Sequence, residues 1–306
     1  MSVTIIIPAY NAEAWLAEAI NSVLAQTAPA SQVIIVDDGS TDITAAVASR
    51  FDDAIVILSQ PNSGVSVARN LGAAQATADW LLFLDADDRL RPDALEQLLS
   101  RASETALGCI YGQSADFTAN GRVEKEHGSC AMQGAVPLGT RVAFWKAPIA
   151  TPGAAIVRRD VFSNVGGWNP RFNTTADRDL WCRIGTVAEF GFVHHVVVER
   201  RIHGANMSGD KNRGRRQAVE VQLGFLEWCA SRGVDPAFLE TSEREIFERN
   251  AERAIEERAF EAAMWIASEA EQRGVQSDAI SRTRRLAGMT GLGREMEIRV
   301  REFIGL

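Results

Sequence analysis

The 306-residue sequence contains no apolar run approaching the ~20 residues that a membrane-spanning helix requires. The first predicted strand begins at Val3, which leaves no room for a signal peptide before it. These two absences predict a cytoplasmic protein with no transmembrane segment. They leave open a peripheral contact with the inner face of the membrane.

Zinc-type cysteine patterns and an excess of basic residues are also missing. The four cysteines form no C-x-x-C pair, and three of them lie in apolar stretches where a reduced thiol packs as a small hydrophobic group. The net charge of −8 argues against a nucleic-acid partner and against general attraction to anionic membranes. The length and the hydrophobic content of 46% suffice for one large domain with an additional subdomain.

An acidic stretch follows a wholly apolar run near position 85. Leu81–Leu84 leads directly into Asp85, Ala86, Asp87 and Asp88. Carboxylates crowded at one strand end repel each other unless a cation lies between them. Hard cations such as Mg²⁺ and Mn²⁺ take oxygen ligands, often one or two carboxylates together with substrate phosphates. The alternative is an acidic loop that caps the next helix, and this stretch alone does not decide between the two.

Strand-like and helix-like patterns alternate along the first third of the chain. Strands are predicted over 3–7, 33–36, 55–58 and 80–84, and helices over 15–24, 41–50 and 65–76. This order predicts a parallel sheet with helices on both faces, whose ligands bind at the carboxyl ends of the strands. The acidic stretch and two further polar clusters lie at such ends.

Four motifs occur in the order, and at about the spacing, of glycosyltransferase family 2. They are Pro8-Ala9-Tyr10-Asn11, Asp37-Asp38-Gly39-Ser40-Thr41-Asp42, Asn62-Ser63-Gly64 with Ala68-Arg69-Asn70, and Asp85-Ala86-Asp87-Asp88. On these motifs, residues 1–210 resemble an inverting, nucleotide-sugar-dependent glycosyltransferase. The resemblance implies the GT-A fold of the α/β class, a Rossmann-like, mixed and mainly parallel sheet flanked by helices.

The same resemblance implies a nucleobase site in the first half of this domain. The loop of Pro8, Ala9, Tyr10 and Asn11 would hold the base together with Asp38, with Tyr10 beside the face of the ring and Asp38 against a ring nitrogen. Each residue also has an ordinary interpretation. Tyr10 fits a loop aromatic, and Asp38 fits a turn residue in a sequence rich in turn formers.

The rest of the donor site is carried over in the same way. Asp85 would contact the ribose with Ala86 beside it, and Asp87 would bind a divalent cation, Mn²⁺ or Mg²⁺. Arg69 would lie near the base or the diphosphate, because its planar cationic fork suits stacking and phosphate binding. Its alternative is a cation on the helix surface. His203 resembles a histidine that many relatives carry after the last sheet strand, which makes it a candidate third metal ligand.

The acceptor side of the resemblance lies in Ala176–Ile184. The family has Glu-Asp-x-Asp-Leu here, at the start of a helix, with one acid as the general base. Ala176 replaces the Glu, so the resemblance implies that Asp177 takes the proton of the acceptor hydroxyl. Asp179 and Trp181 are weaker acceptor-side candidates. Their alternatives are a carboxylate favoured by the helix dipole and a core aromatic.

The tail of the chain differs in character from the first 210 residues. Helical patterns over 251–270 and 296–304 predict a helical C-terminal subdomain, 211–306, after a domain with a nucleotide-binding half, 1–105, and an acceptor half, 106–210. The basic cluster at 213–216 is interpreted as a solvated turn rather than a membrane contact or part of the donor site. The helices are suited to covering the acceptor cleft, forming a homo-oligomer or docking a partner enzyme.

These expectations combine into one predicted activity, the transfer of one sugar from a nucleotide sugar, with UDP favoured. The acceptor would be a glycan, a lipid-linked molecule or a protein. The Gln-x-x-Arg-Trp signature of processive relatives is absent, which favours single addition. Two alternatives stay open. One is an inactive scaffold that binds nucleotide sugars, suggested by Ala176. The other is a sugar nucleotidyltransferase, whose first loop usually carries a glycine and a cation that Pro8–Asn11 lacks.

Overall fold

The computed structural model describes residues 1–118, 123–146, 148–204 and 210–289. The chain divides into two compact units, Met1–Asn206 and Met207–Leu306. All described strands lie in the first unit, and the described part of the second unit is helical. None of the described helices is long and apolar enough to cross a bilayer.

The first unit is built on one sheet, in which nine described strands take part. The strands are β1 Val3–Ala9, β2 Gln32–Asp37, β3 Val56–Ser59, β4 Trp80–Phe83, β5 Arg89–Leu90, β6 Leu107–Phe117, β7 Val123–His127, β8 Ala155–Arg158 and β9 Glu189–Arg201. Their order is β3-β2-β1-β4-β8-β6-β9-β5, with β7 paired to β6. The pairs among β1 to β4 are parallel, whereas β8 is antiparallel to both β4 and β6. The predicted α/β class with a mixed sheet is therefore confirmed.

Seven described α-helices belong to the first unit. They are α1 Leu16–Leu24, α2 Thr44–Ala48, α3 Val65–Ala74, α4 Ala94–Leu99, α5 Leu138–Trp145, α6 Arg159–Asn164 and α7 Ala176–Ile184. Helix α1 buries Leu16, Ala19, Ile20 and Val23, which recur at helical spacing. Helix α3 packs close to the sheet at Gly72, where an added Cβ would lie 2.5 Å from Ile6 Cγ2.

Strand β1 extends further than predicted. Pro8 and Ala9, expected in the loop after the strand, are its last two residues. The Ala9 carbonyl accepts a hydrogen bond from the backbone N–H of Asp38 at 2.8 Å, which prolongs the pairing with β2. Neighbouring β4 already ends at Phe83, so the missing N–H of Pro8 interrupts no pairing with that strand. The loop itself begins at Tyr10.

Four described α-helices form the second unit. They are α8 Lys211–Arg232, α9 Glu243–Glu256, α10 Phe260–Gln272 and α11 Asp278–Gly288. Serine hydroxyls cap α9 and α11, because Ser242 accepts from the N–H of Glu245 and Ser277 from that of Ile280. The helical C-terminal region is therefore confirmed. The helix predicted over 296–304 lies outside the described residues.

The interpretation of residues 213–216 as a solvated turn is wrong. They lie in the first turns of α8, which Asp210 caps by accepting the N–H of Arg213 at 3.0 Å. Arg215 pairs with Glu257 at 2.7 Å, so this cation contributes to packing between helices of the unit. The Asp210 cap and the ion pair with Glu257 stabilise the helix around Gly214.

Candidate active site

Asp38 connects the end of β2 to the loop after β3. Its Oδ1 accepts hydrogen bonds from Gln60 Nε2 at 2.7 Å and from the Ser63 N–H at 2.8 Å, and its Oδ2 accepts from the Gly64 N–H at 2.9 Å. The side chain is buried. The neighbouring Gly39 has φ +72°, and an added Cβ there would lie 2.6 Å from a backbone nitrogen of the facing loop. Asp38 therefore joins the loop after β2 to the loop after β3.

Asn11 connects the loop after β1 to the loop after β2. Its Oδ1 accepts from the Thr41 N–H at 2.8 Å and from Thr41 Oγ1 at 3.2 Å, and its own N–H donates to Ser40 Oγ at 3.1 Å. Asn11 has φ 48°, a conformation that asparagine tolerates better than most residues. Tyr10, next to it, is 49% exposed, so its ring is accessible to a planar ligand.

Arg69 lies against the first acid of the acidic stretch. Its Nη2 is 2.5 Å from Asp85 Oδ1, and its guanidinium carbon lies 4.4 Å from the ring centre of Trp168. The residue is only 5% exposed, so its interpretation as a helix-surface cation is wrong. Its Nε has no hydrogen-bond partner among the described residues. The buried Arg69 side chain therefore holds Asp85 in place through an ion pair. Ala86, beside Asp85, is also buried.

Asp87, the second acid of the acidic stretch, contacts His203. The distance from His203 Nε2 to Asp87 Oδ2 is 3.0 Å. Burial, and next the charge of Asp85, raise the pKa of Asp87, while the contact with His203 acts in the opposite direction. The Trp15 ring is stacked on the His203 ring, with centroids 4.3 Å apart.

Asp88 is buried in the interior of the first unit. Its carboxylate accepts hydrogen bonds from Thr151 Oγ1 at 3.1 Å and from the backbone N–H of Arg201 at 3.0 Å. Burial, followed by the charges of Asp85 and Asp87, raises the pKa of Asp88 well above its usual range. The three acids therefore have three different environments, although they are neighbours in the sequence.

The acidic stretch after β4 suits a divalent cation that is bound by only a few protein ligands. Among the described residues, no group of three or more His, Cys, Asp or Glu side chains is arranged to hold a metal ion. Mg²⁺ and Mn²⁺ are often bound through one or two carboxylates and completed by water and substrate phosphates. Asp87 and His203 offer an oxygen and a nitrogen ligand side by side. Burial and the charge of Asp85 raise the pKa of Asp87, and a bound cation would offset both effects.

Helix α7 brings Asp177 into electrostatic reach of the donor side. Asp177 is the second residue of the helix and is half-buried. Burial raises the pKa of its carboxyl. Arg178 and next the charge of Arg69 lower this pKa, and the charge of Asp85 raises it. Ala176, in the place of the family's glutamate, is buried. The structure therefore brings the predicted base, Arg69 and Asp85 into one neighbourhood.

Asp179 and Trp181 point into the protein. Arg183 Nη2 lies 2.5 Å from Asp179 Oδ2, and both side chains are almost fully buried. The Trp181 ring packs edge-on against Trp168, with centroids 6.4 Å apart, and is 1% exposed. These contacts favour the alternative interpretation of both residues, helix stabilisation and core packing, over an acceptor contact.

Sequence reasoning did not anticipate the roles of Trp15 and Trp168 in the site. Trp15 matched the apolar repeat of α1 and was interpreted only as a helix residue. Trp168 follows Gly167, which has φ +69°, and its backbone exchanges two hydrogen bonds with the side chain of Asn70 at 2.8 and 2.9 Å. Trp168 ends the Gly166-Gly167-Trp168 stretch, which resembles the family, but the sequence does not show the contacts of either ring, because both rings contact residues far away in the chain.

Comparison with known proteins identifies the family. Residues 4–166 match the family model described as glycosyl transferase family 2. The chain is 30% identical over 210 residues to chondroitin synthase of Pasteurella multocida, a match that covers 67% of this chain and 21% of that protein. It is 27% identical over 239 residues to an uncharacterized glycosyltransferase of Rickettsia prowazekii, covering 74% of this chain and 71% of that one. The chain thus spans about a fifth of the synthase.

Solved structures confirm the fold. TarS residues 1–349 of S. aureus, solved with UDP-GlcNAc, match with a TM-score of 0.60 and 18% identity over 94% of this chain and 90% of that one. The mannosyltransferase PcManGT of Pyrobaculum calidifontis, solved with GDP-Man and Mn²⁺, gives a TM-score of 0.57 and 18% identity over 91% and 77%. The chain belongs to glycosyl transferase family 2. The predicted family, its glycosyltransferase class and the GT-A fold are confirmed.

Proposed function

We propose that the protein transfers one sugar from a nucleoside-diphosphate sugar to an acceptor hydroxyl, with inversion at the anomeric carbon and with the help of a divalent cation. One observation carries the proposal. After β4, Arg69 pairs with Asp85 and His203 contacts Asp87, and the charge of Asp85 acts on both Asp87 and the half-buried Asp177. Such an arrangement suits a ligand with a base, a diphosphate and a reacting carbon.

The nucleoside would lie across the loops that Asn11 and Asp38 hold together. The exposed ring of Tyr10 offers a stacking face. The carboxyl ends of the parallel strands β1 and β2 offer polar backbone groups beside it. Asp85, oriented by Arg69, would accept a hydrogen bond from a ribose hydroxyl. A carboxylate already fixed by an ion pair loses little conformational freedom when it binds such a group.

Asp87 and His203 would hold the cation, which would neutralise the charge that develops on the departing nucleoside diphosphate. The half-buried carboxylate and the stacked imidazole are already adjacent without it.

Asp177 is the proposed general base. It would take the proton of the acceptor hydroxyl while the oxygen attacks the anomeric carbon and the bond from that carbon to the diphosphate breaks. The raised pKa of a half-buried carboxyl makes it a stronger base than an exposed one. A base in hydrogen-bond reach of the reacting hydroxyl typically contributes roughly 10²–10⁴-fold to the rate.

We further propose a donor nucleotide and a mode of addition. UDP is favoured first because a structural neighbour was solved with UDP-GlcNAc, and GDP second because another was solved with GDP-Man. Single addition is proposed because the Gln-x-x-Arg-Trp signature of processive relatives is absent from the chain. A glycan, lipid-linked or protein acceptor fits the proposal.

The first test is thermal stability of the protein with UDP, GDP, dTDP or CDP, each with and without Mn²⁺. A ligand at about 100 times its dissociation constant adds roughly 2.7 kcal/mol to the free energy of unfolding, which a melting curve resolves. We expect one nucleotide to stabilise in a Mn²⁺-dependent way and Asp87→Ala to abolish the shift. The absence of a shift with all four nucleotides would contradict the proposed donor site.

An inactive scaffold is the second candidate, and Ala176 is the observation that favours it. The position at the start of α7 carries no carboxylate, and Asp179 is committed to Arg183. Asp177 is then the one remaining acid of the predicted motif. Binding without turnover of the donor, measured with a panel of acceptor sugars, would favour the scaffold. Turnover that depends on Asp177 would exclude it.

A further inference from the structure

The start of α1 contacts the segment of His203 at two points. The ring of Trp15, the residue before the helix, is stacked on the His203 ring with an interplanar angle of 18°. Three positions later, Glu18 Oε2 accepts a hydrogen bond from Arg201 Nη2 at 2.5 Å. Positions three apart lie on one face of a helix, so this face makes both contacts at once.

Arg201 links the same face of α1 to the acidic stretch. Its Nε donates to the carbonyl of Asp87 at 3.0 Å, and its backbone N–H donates to Asp88 Oδ1 at 3.0 Å. Its guanidinium lies 4.5 Å from the ring centre of Phe117, and its side chain is 12% exposed. One side-chain conformation therefore satisfies Glu18, Phe117 and the main chain of Asp87.

A second arginine holds Glu18 from the other side. Arg89 Nη1 donates to Glu18 Oε1 at 2.7 Å, and Arg89 Nε donates to Glu199 Oε2 at 2.5 Å. The Arg89 guanidinium also lies over Phe117, 4.2 Å from the ring centre. If one member of this network moves, its charged partners are left unpaired where water is partly excluded. Because this costs free energy, the network resists rearrangement.

We propose that Trp15, Glu18 and Arg201 are positioning residues that hold Asp87 and His203 in the arrangement that binds a divalent cation with a nucleoside diphosphate. This inference rests on the proposed function, which assigns Asp87 and His203 to that site. The Trp15 stack restrains rotation of the imidazole. Arg201, on β9 and held by Glu18 of α1, restrains the main chain at Asp87, so the two ligands are oriented by separate contacts.

The test is Mn²⁺ binding in the presence of UDP, or of whichever of GDP, dTDP and CDP stabilises the wild-type protein. The paramagnetic resonance signal of free Mn²⁺ gives the bound fraction without any measurement of activity. Partners that orient metal ligands typically change metal affinity roughly 10–100-fold. We expect losses of that order in Trp15→Leu and Arg201→Gln, with partial recovery in Arg201→Lys, which retains the charge.

Arg91→Gln is the matched control. Arg91 Nη1 pairs with Glu199 Oε1 at 2.9 Å at the far end of the same network, and its side chain is 49% exposed. Its Mn²⁺ affinity should stay close to that of the wild type. Unfolding curves without ligand show whether each variant is folded. Should Arg201→Gln fail to fold, Glu18→Gln decides, because the Glu18 side chain is 42% exposed and tolerates the exchange.

The outcomes separate this inference from the function on which it rests. Mn²⁺ affinity equal to the wild type in Trp15→Leu and Glu18→Gln overturns the positioning role and leaves the proposed function standing. A wild-type protein that binds no nucleotide with Mn²⁺ overturns the proposed function and this inference with it. Weakened Mn²⁺ binding in both variants, with Arg91→Gln unchanged, supports the inference.

Discussion

The proposed donor side and the proposed acceptor side of the first unit are held together by different kinds of contact. On the donor side, short polar side chains accept backbone N–H groups from neighbouring loops. Asp38 takes those of Ser63 and Gly64, and Asn11 takes that of Thr41. Each bond joins two loops at the carboxyl edge of parallel strands. The edge is therefore positioned by polar groups that lie within the loops themselves.

On the acceptor side, large side chains and one buried ion pair carry out this role. Trp181 packs edge-on against Trp168, and the amide of Asn70 pairs with the Trp168 backbone. Asp179 and Arg183 form an ion pair within α7 that is almost fully withdrawn from water. A buried pair of this kind is costly to break from one side, because the remaining charge loses its partner.

This difference predicts which substitutions affect ligand binding and which affect stability. Substitutions at the donor edge should alter loop positions and ligand binding at a moderate cost in stability. Substitutions in α7 should mostly cost stability, except at Asp177, which is half-buried and lies within range of the charges of both Arg69 and Asp85. The proposed general base is therefore the point at which the two sides meet.

The largest expected effect is on turnover. Asp177→Asn should lower kcat roughly 10²–10⁴-fold, because the amide cannot accept the acceptor proton. Binding of nucleotide and Mn²⁺ should stay unchanged, since the donor side does not depend on this side chain. Donor turnover and the thermal shift, measured on the same preparation, check the separation. Wild-type turnover in the variant would show that another group is the base.

The next effect is on stability. Asp179→Ala should lower the free energy of unfolding by about 3–5 kcal/mol, because Arg183 is left buried without its partner. Denaturant titration measures the loss. Asp160→Ala is the control, since its pair with Arg158 is on the surface and Asp160 is 69% exposed, and we expect a change of at most about 1 kcal/mol. Equal losses in the two variants would contradict the contrast between a buried and a surface pair.

A smaller loss is expected at the donor edge. Asp38→Asn keeps the size of the side chain but offers one acceptor oxygen where three donors converge, so the free energy of unfolding should fall by about 1–3 kcal/mol. Nucleotide binding should weaken with it, because the loops after β2 and β3 lose their connection. Asp53→Asn, at an exposed position, is the control. Unchanged nucleotide affinity in Asp38→Asn would disconnect this loop contact from the donor site.

The smallest effect concerns pH. Because burial raises the pKa of Asp177, the acidic limb of the kcat profile should lie above the ordinary value of about 3.9 for aspartate. The sign for stability is opposite. The folded state binds this proton more tightly than the unfolded state, so the stabilisation is complete below the unfolded pKa and is lost as the pH rises through the folded one. Paired rate and unfolding profiles of wild type and Asp177→Asn test both signs.

Sequence by itself determined the alternation of strands and helices in the first third of the chain and the polar clusters at the strand ends. Strand β3 and helix α3 begin within one residue of the predicted starts. These features are readable because burial imposes a local period on apolar residues, and because turns and caps require particular residue types. The same local logic drew attention to the acidic stretch of Asp85 and Asp87, whereas Asp177 was predicted from the resemblance to the family.

Only the tertiary structure decided which side chains meet. Glu18 and Arg201 are 183 positions apart, and His203 and Asp87 are 116 apart. Their contacts follow from the strand order, in which β8 inserts beside β4 and β9 lies between β6 and β5. No local period encodes that order, because it is set by how all the faces of the sheet and helices bury their apolar surface together. For the same reason Asp88, identical in sequence character to Asp87, is turned into the interior.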